Sequence, residues 1–209
     1  MLFGPKILEE VDSKFSGKIR VISGFGYKYI ATGILTQSGG LVRDVWEPVI
    51  KTLNSQFSTL NSCLILGLAG GTIASMVAKS WHGIKITGVE IDPVMIRLGK
   101  KYLDLDKIPN LKIIVADAQQ YVLDLDLRLD LILVDMYIGD QLPAFIYSPK
   151  FLKRLRLLSP HVIFNHLFYD DHKRQKAGEL VEKLKQIFPS VTLMRKLTNL
   201  LIICDQKKV

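Results

Sequence analysis

The sequence predicts an α/β fold: a mostly parallel seven-stranded sheet with an antiparallel last strand, preceded by a short N-terminal β hairpin. Three observations predict it. From residue 63 onward, apolar β-rich runs alternate with amphipathic stretches. The first run, Cys63-Leu64-Ile65-Leu66, enters the small-residue turn Gly67-Leu68-Ala69-Gly70-Gly71-Thr72, and Val89-Glu90-Ile91-Asp92-Pro93 follows. That separation, about twenty residues, is the interval at which a Rossmann-type crossover brings a carboxylate beside a ligand. Finally, the sequence closes on a hairpin, where a dinucleotide-binding dehydrogenase would need two more crossovers.

The elements follow in order. Lys18–Ser23 and Tyr27–Leu35 read as short strands separated by Gly24-Phe25-Gly26, and Gln37-Ser38-Gly39-Gly40 leads into a helix over Val42 to Leu53. Strands are expected at 63–67, 85–91, 111–116, 129–135 and 160–165, with helices at about 71–81, 93–102, 118–123, 149–158 and 172–188. Asp92-Pro93 is a helix start: a carboxylate in the capping position, then a proline where its missing N–H costs nothing. Pro189 ends the last helix. Val191–Leu197 and Leu200–Cys204 form the closing hairpin around Thr198-Asn199. Two regions result: an N-terminal β region with its connecting helix over 1–50, and a Rossmann-like domain over 51–209.

Bulk properties narrow the function. The chain has 209 residues, 48% of them hydrophobic, which suits a well-filled parallel sheet. No apolar run approaches the roughly 18 residues that span a bilayer, so no membrane role is expected. The start lacks a secretory pattern, and Cys63 and Cys204 sit inside apolar runs. Reduced thiols in a cytoplasmic protein are the simple reading. The net charge of +8 divides as +2 for residues 1–62, −2 for 63–147 and +8 for 148–209. A basic patch of this kind attracts nucleic acid or another polyanion, but no RNA- or DNA-reading motif accompanies it. Solvated helix faces account for it equally well.

In this order and spacing the motifs resemble the spermidine synthase family and its spermidine-synthase-like methyltransferase relatives. The pieces are Leu64 to Thr72, Val89-Glu90-Ile91-Asp92-Pro93 with Lys100-Lys101-Tyr102, and Val115-Ala116-Asp117-Ala118. Leu131-Ile132-Leu133-Val134-Asp135 follows, with Gly139-Asp140 and Pro143, and Gly33-Ile34-Leu35-Thr36-Gln37 precedes them all. The resemblance runs from about Ile19 to Leu167 and implies a class I transferase that binds S-adenosylmethionine or its decarboxylated form. Gly67, Ala69 and Gly71 would lie under the amino-acid portion of the cofactor. Glu90, with Ile91 beside it, would hold the ribose hydroxyls. Asp117 and the backbone of Ala118 would meet the adenine, and Gln37 would reach over toward the cofactor tail. Asp135 would face the reacting centre as the catalytic group, with Asp140 in reserve. Tyr137 and Trp46 would form an aromatic wall against a cationic substrate. Relatives are commonly dimers, and the apolar composition is compatible with a homodimer.

The same comparison exposes departures. True spermidine synthases carry Asp-x-x-Asp-Pro after the fourth strand, and the second Asp helps to bind the polyamine. Here Asp135-Met136-Tyr137-Ile138-Gly139-Asp140 puts Ile138 in that place, and the family's Tyr-His-Glu segment has become Val45-Trp46-Glu47-Pro48. Methyl transfer from S-adenosylmethionine to an amine or another acceptor is therefore preferred. Polyamine aminopropyl transfer is the alternative, and a non-catalytic ligand-binding protein is a third reading. An NAD site is disfavoured because Gly67-x-Ala69-x-x-Thr72 spoils two of three glycine positions.

Other residues have plainer explanations. Asp92 and Asp117 are natural helix caps, and Asp170-Asp171-His172 reads as a loop and cap. The four histidines lack metal-ligand spacing, so no metal is expected. His166 reads as a core-edge residue, and neither Ser38 nor Ser159 has a paired base for nucleophilic work.

Overall fold

Two sheets organise the computed structural model, which describes residues 4–206. The first is an antiparallel meander of β1 (Lys6–Ser13), β2 (Gly17–Gly24), β3 (Tyr27–Thr32) and β4 (Leu35–Ser38). The second contains β5 (Ser62–Leu66), β6 (Lys85–Glu90), β7 (Leu111–Val115), β8 (Leu131–Val134), β9 (His161–Leu167), β10 (Ser190–Lys196) and β11 (Asn199–Asp205). Its strand order is β7-β6-β5-β8-β9-β11-β10. Strands β5 to β9 run parallel, and β11 pairs antiparallel with both β9 and β10. The order reverses between β5 and β8, and ligands of open α/β sheets bind at such a switch.

Six helices cover the larger sheet and its flanks: α1 (Gly40–Gln56), α2 (Thr72–Ser80), α3 (Pro93–Tyr102), α4 (Ala118–Asp124), α5 (Pro149–Leu158) and α6 (Asp171–Lys185). Strands β5 and β8 read as continuous apolar runs because both faces are covered. One face packs against Val122, Leu152 and Leu180 of α4, α5 and α6. The other packs against Trp46, Val49, Ile73 and Val77 of α1 and α2. A smaller cluster joins Ile19, Val21 and Ile30 of the meander to Met95 and Leu98 of α3.

The predicted strands and helices of the larger sheet are present with ends shifted by a few residues. The last helix stops at Lys185 rather than near Pro189, and Ile187 N–H turns back to the Leu184 carbonyl. The N-terminal region has two strands beyond the expected hairpin. β1 was not legible because its residues are mostly exposed and do not alternate cleanly. The stretch Tyr27–Leu35 breaks at Gly33, where φ is 55°, and the chain reverses into β4. Residue 50 lies inside α1, so that helix spans the expected boundary between regions.

The Lys-Lys-Tyr motif turns out to tie the two sheets together. Glu9 of β1 accepts hydrogen bonds from Lys101 Nζ, Arg97 and Tyr102 Oη at 2.7, 2.7 and 2.8 Å. These partners hold its carboxyl down at about 2. Asp92 caps α3 by accepting from Val94 N–H, and its other oxygen accepts from Ser13 and Ser16 Oγ at 2.6 Å each. Asp117 and Asp170 cap α4 and α6.

Much of the basic C-terminal surface is also engaged. Arg154 donates to the Val122 and Leu125 carbonyls at the end of α4, and Arg156 donates to the Ile187 carbonyl beyond α6. Lys176 and Lys185 pair with Glu179 and Glu182. Cys63 and Cys204 are free thiols, and burial pushes both above the usual thiol range. Among the described residues, no helix is long and apolar enough to cross a membrane.

Candidate functional site

At the carboxyl ends of β5, β6 and β8 the chain carries Gly67, Glu90 and Asp135, and a cavity of about 300 Å³ opens there. The meander closes it from the other side. Nine of the predicted residues line it: Gln37, Gly67, Ala69, Glu90, Ile91, Asp117, Ala118, Asp135 and Tyr137. Three do not, for separate physical reasons. Trp46 is fully buried beneath the site, and its indole N–H donates to Asp135 Oδ2 at 3.1 Å. It is a support for the carboxylate and no part of an aromatic wall. Asp140 turns away, accepting from Lys173 Nζ at 2.8 Å and Tyr169 Oη at 2.9 Å. Gly71 lies behind the turn, at the start of α2.

The glycines are required by the protein's own packing. Gly67 has φ 88°, and a Cβ there would sit 2.2 Å from the carbonyl oxygen of Asp135. Gly71 has φ 90°, and a Cβ would meet the Leu105 side chain at 2.4 Å. Ala69 adopts φ 46° despite carrying a side chain.

The N–H groups of residues 67–71 are already committed. Those of Gly67 and Leu68 go to the Val89 carbonyl, and that of Gly71 goes to the Leu68 carbonyl. Ala69 N–H donates to Glu90 Oε2, and Gly70 N–H donates to Ser38 Oγ. A dinucleotide cradle offers N–H groups of its glycine turn to a pyrophosphate, and here those of residues 67–71 are spent within the protein.

Glu90 is held by two such donors, Ala69 N–H and Asp92 N–H, at 2.8 and 2.9 Å. Burial nonetheless pushes its carboxyl above the ordinary range. Asp117 gives one oxygen to Gln120 N–H as the α4 cap while facing the cavity. Gln37 donates to Thr32 Oγ1 at 2.7 Å.

Around Asp135 a chain of side chains is built from four elements. Oδ1 accepts from Asn165 Nδ2 at 2.8 Å, and Asn165 Oδ1 accepts from Asn199 Nδ2 at 2.9 Å. The orientation is self-consistent: Asn165 must present its NH2 to the carboxylate, which leaves its carbonyl for Asn199. Desolvation raises Asp135 from 3.8 to about 6, and the bonds from Asn165 and Trp46 oppose the rise. Tyr137 Oη donates to the Asn165 carbonyl, and burial keeps the phenol protonated.

His166 is buried outside the cavity lining. Its Nδ1–H donates to the Leu167 carbonyl, Nε2 accepts from Tyr147 Oη, and burial lowers its pKa. Among the described residues, three carboxylates thus line the cavity, and no Lys, Arg or His does.

Solved structures with the same architecture decide the fold. A probable spermidine synthase from Corynebacterium glutamicum superposes with a TM-score of 0.79 at 18% identity, covering 98% of this chain and 82% of that one. The spermidine synthase from Thermotoga maritima gives 0.77 at 15% identity, covering 97% and 73%. The chain has a spermidine-synthase-like class I fold. Human methyltransferase-like protein 13, solved with SAH, shares it less closely, at a TM-score of 0.61 and 22% identity over 75% of each chain.

Curated relatives include both aminopropyltransferases and methyltransferases. The polyamine aminopropyltransferase of Vibrio vulnificus is 30% identical over 98 residues, 46% of this chain and 33% of that protein. An eEF1A lysine and N-terminal methyltransferase homolog of Drosophila pseudoobscura pseudoobscura is 25% identical over 177 residues, 78% of this chain and 26% of that protein. The N-terminal histidine N-methyltransferase of Emericella nidulans is 26% identical over 163 residues, 71% and 28%. The chain thus matches a third or less of the length of these three relatives. No family model matches.

Sequence reasoning missed the roles of Asn199, read as a turn residue, and of Asn165. A signal was present. Asn165 interrupts an apolar strand at its carboxyl end, and a carboxamide there is costly unless it is bonded. Ser38 was likewise unassigned, yet it braces the glycine turn from β4.

Proposed function

We propose that the chain is a transferase that takes a sulfonium nucleoside, S-adenosylmethionine, as cofactor and methylates an amine. One observation carries the reading: among the described residues, the cavity at the sheet's switch point is lined by Glu90, Asp117 and Asp135 and by no cationic side chain. Such a donor set suits a cationic ligand and repels an anionic one. Glu90 and Asp117 both line the cavity and would accept from ribose hydroxyls and an adenine amino group, with apolar Ile91 and Ala118 beside the ring.

The cofactor, when bound, supplies a carbon already activated for displacement by its positive sulfur. The remaining work belongs to the chain. An amine must be neutral when it attacks, so a proton has to be held off it. Asp135, raised to about 6, is ionised at neutral pH and would orient the amine and hold the proton the amine sheds. Its two oxygens are fixed by Trp46 and Asn165, so the acceptor is positioned without reorganisation. Tyr137 excludes water beside it.

A second reading has its own support. The amino-acid end of S-adenosylmethionine carries a carboxylate, and among the described residues no cationic side chain lines the cavity to meet it. That favours the decarboxylated form and aminopropyl transfer. Calorimetric titration with each cofactor separates the two. Tighter binding of S-adenosylmethionine supports methyl transfer, and tighter binding of the decarboxylated form supports aminopropyl transfer. Binding of neither overturns the transferase reading.

A further inference from the structure

We infer that the acceptor admitted beside Asp135 is a single ammonium carrying an apolar substituent, an inference that rests on the transferase reading above. The charges within the cavity are unevenly placed. Glu90 and Asp117 follow β6 and β7 on one side of the strand-order switch, and Asp135 alone follows β8 on the other. Around Asp135 the lining is amide and aromatic: Asn165, Asn199 and Tyr137. The next carboxylate along the chain, Asp140, is committed to Lys173 and Tyr169 outside the cavity. One carboxylate at this end balances one ammonium.

Away from Asp117 the mouth of the cavity is mainly apolar, with Thr198 the exposed polar side chain in it. Ile34, Ile138, Leu197 and Leu41 line it and are 89%, 66%, 53% and 50% exposed. They come from four separate segments: the β3–β4 turn, the loop after β8, the β10–β11 turn and the first turn of α1. Lone exposed aliphatic residues are ordinary on a surface, but four around one opening form a collar that loses water only when something apolar passes through it. A second ammonium held in that collar would be desolvated with no partner, at a cost its carbon chain does not recover. A hydrocarbon or aromatic group there is stabilised by the contact.

Calorimetry on the intact chain saturated with S-adenosylhomocysteine at pH 8 tests this with three probes: phenethylamine, leucyl-leucinamide and 1,4-diaminobutane. Phenethylamine or leucyl-leucinamide is expected to bind at least about tenfold tighter than the diamine. Whichever of the two wins distinguishes a small-molecule amine from a peptide terminus as its source. Ile138→Asp, at an exposed position that folding does not depend on, is expected to raise diamine affinity about tenfold and to weaken the apolar probes. Equal or tighter binding of 1,4-diaminobutane by the unaltered protein overturns the inference. So does failure of both monoamines while S-adenosylhomocysteine binds, and that result leaves the cofactor reading standing. If S-adenosylhomocysteine itself does not bind, the transferase reading fails first and the acceptor site goes with it.

Discussion

Asp135 concentrates the competing forces of the site in one side chain. Burial disfavours its charge, and two hydrogen bonds only partly restore it, so it sits near 6 rather than 3.8. A rise of that size corresponds to about 3 kcal/mol. The sign is destabilising where the group is ionised: its contribution to stability is greatest below pH 3.8 and declines as pH rises to about 6. With Asp135 as the proposed base, catalysis would have the opposite dependence. Transfer rate is expected to fall as pH drops through about 6, and a flat profile from pH 5 to 8 would remove Asp135 as the base. Asp135→Asn should abolish transfer while the melting temperature at pH 8 stays level or rises. It sheds the buried charge and gives up one of two accepted hydrogen bonds, worth about 1 kcal/mol. Gly67 predicts a different outcome. Gly67→Ala combines a positive φ with a clash against the Asp135 carbonyl, and urea unfolding should show a loss of about 3 kcal/mol or more. The sequence pointed to Asp135 and Gly67 for ligand contact. It could not reveal that the glycine is needed chiefly because β5 and β8 end within one atom's width of each other.

Elements differed in legibility for a single reason: how many of their faces are buried. β5, β6 and β8 lie inside the sheet, and their apolar runs were unmistakable. β1 and β4 belong to a small meander with one face largely in water, and Leu-Glu-Glu-Val-Asp in β1 carries no clean alternation. What fixes β1 is its ionic attachment to α3, which no periodicity encodes. Glu9→Gln cuts that attachment and should lower the melting temperature by a few degrees at pH 7, as expected for pairs with half-exposed cations. Because the folded carboxyl is held at about 2, the stability it adds is complete above pH 4.5 and fades as pH falls toward 2. The melting curves of the two proteins should therefore converge in acid. A gap that persists at pH 2 would mean that the side chain, not its charge, anchors the strand.

Across the whole molecule, the two sheets are coupled through helices that belong to both. α1 follows directly from the meander, yet Val45, Trp46, Val49 and Ile50 are buried in the core of the larger sheet. α3 faces the meander with Met95 and Leu98 and the larger core with Ile96. Tryptophan fluorescence and backbone circular dichroism should thus report one coincident unfolding transition, and separated midpoints would show two independent units. The cavity was legible from sequence at its strand ends and not at its mouth, because Ile34 and Leu197 reach it only through the docking of turns distant in the chain.

That docking also sets an order of assembly. Asn199 opens β11, a strand inserted between β9 and β10, and it holds Asn165, which in turn holds Asp135. Strands β5 to β9 can pair while this last inner strand is still free, yet the carboxylate then lacks the anchor that fixes its neighbour. During refolding, sheet structure would return before activity, and turnover would resume only in the step that seats β11. On the proposed reading the site would thereby report on its own scaffold, silent until the final strand is home.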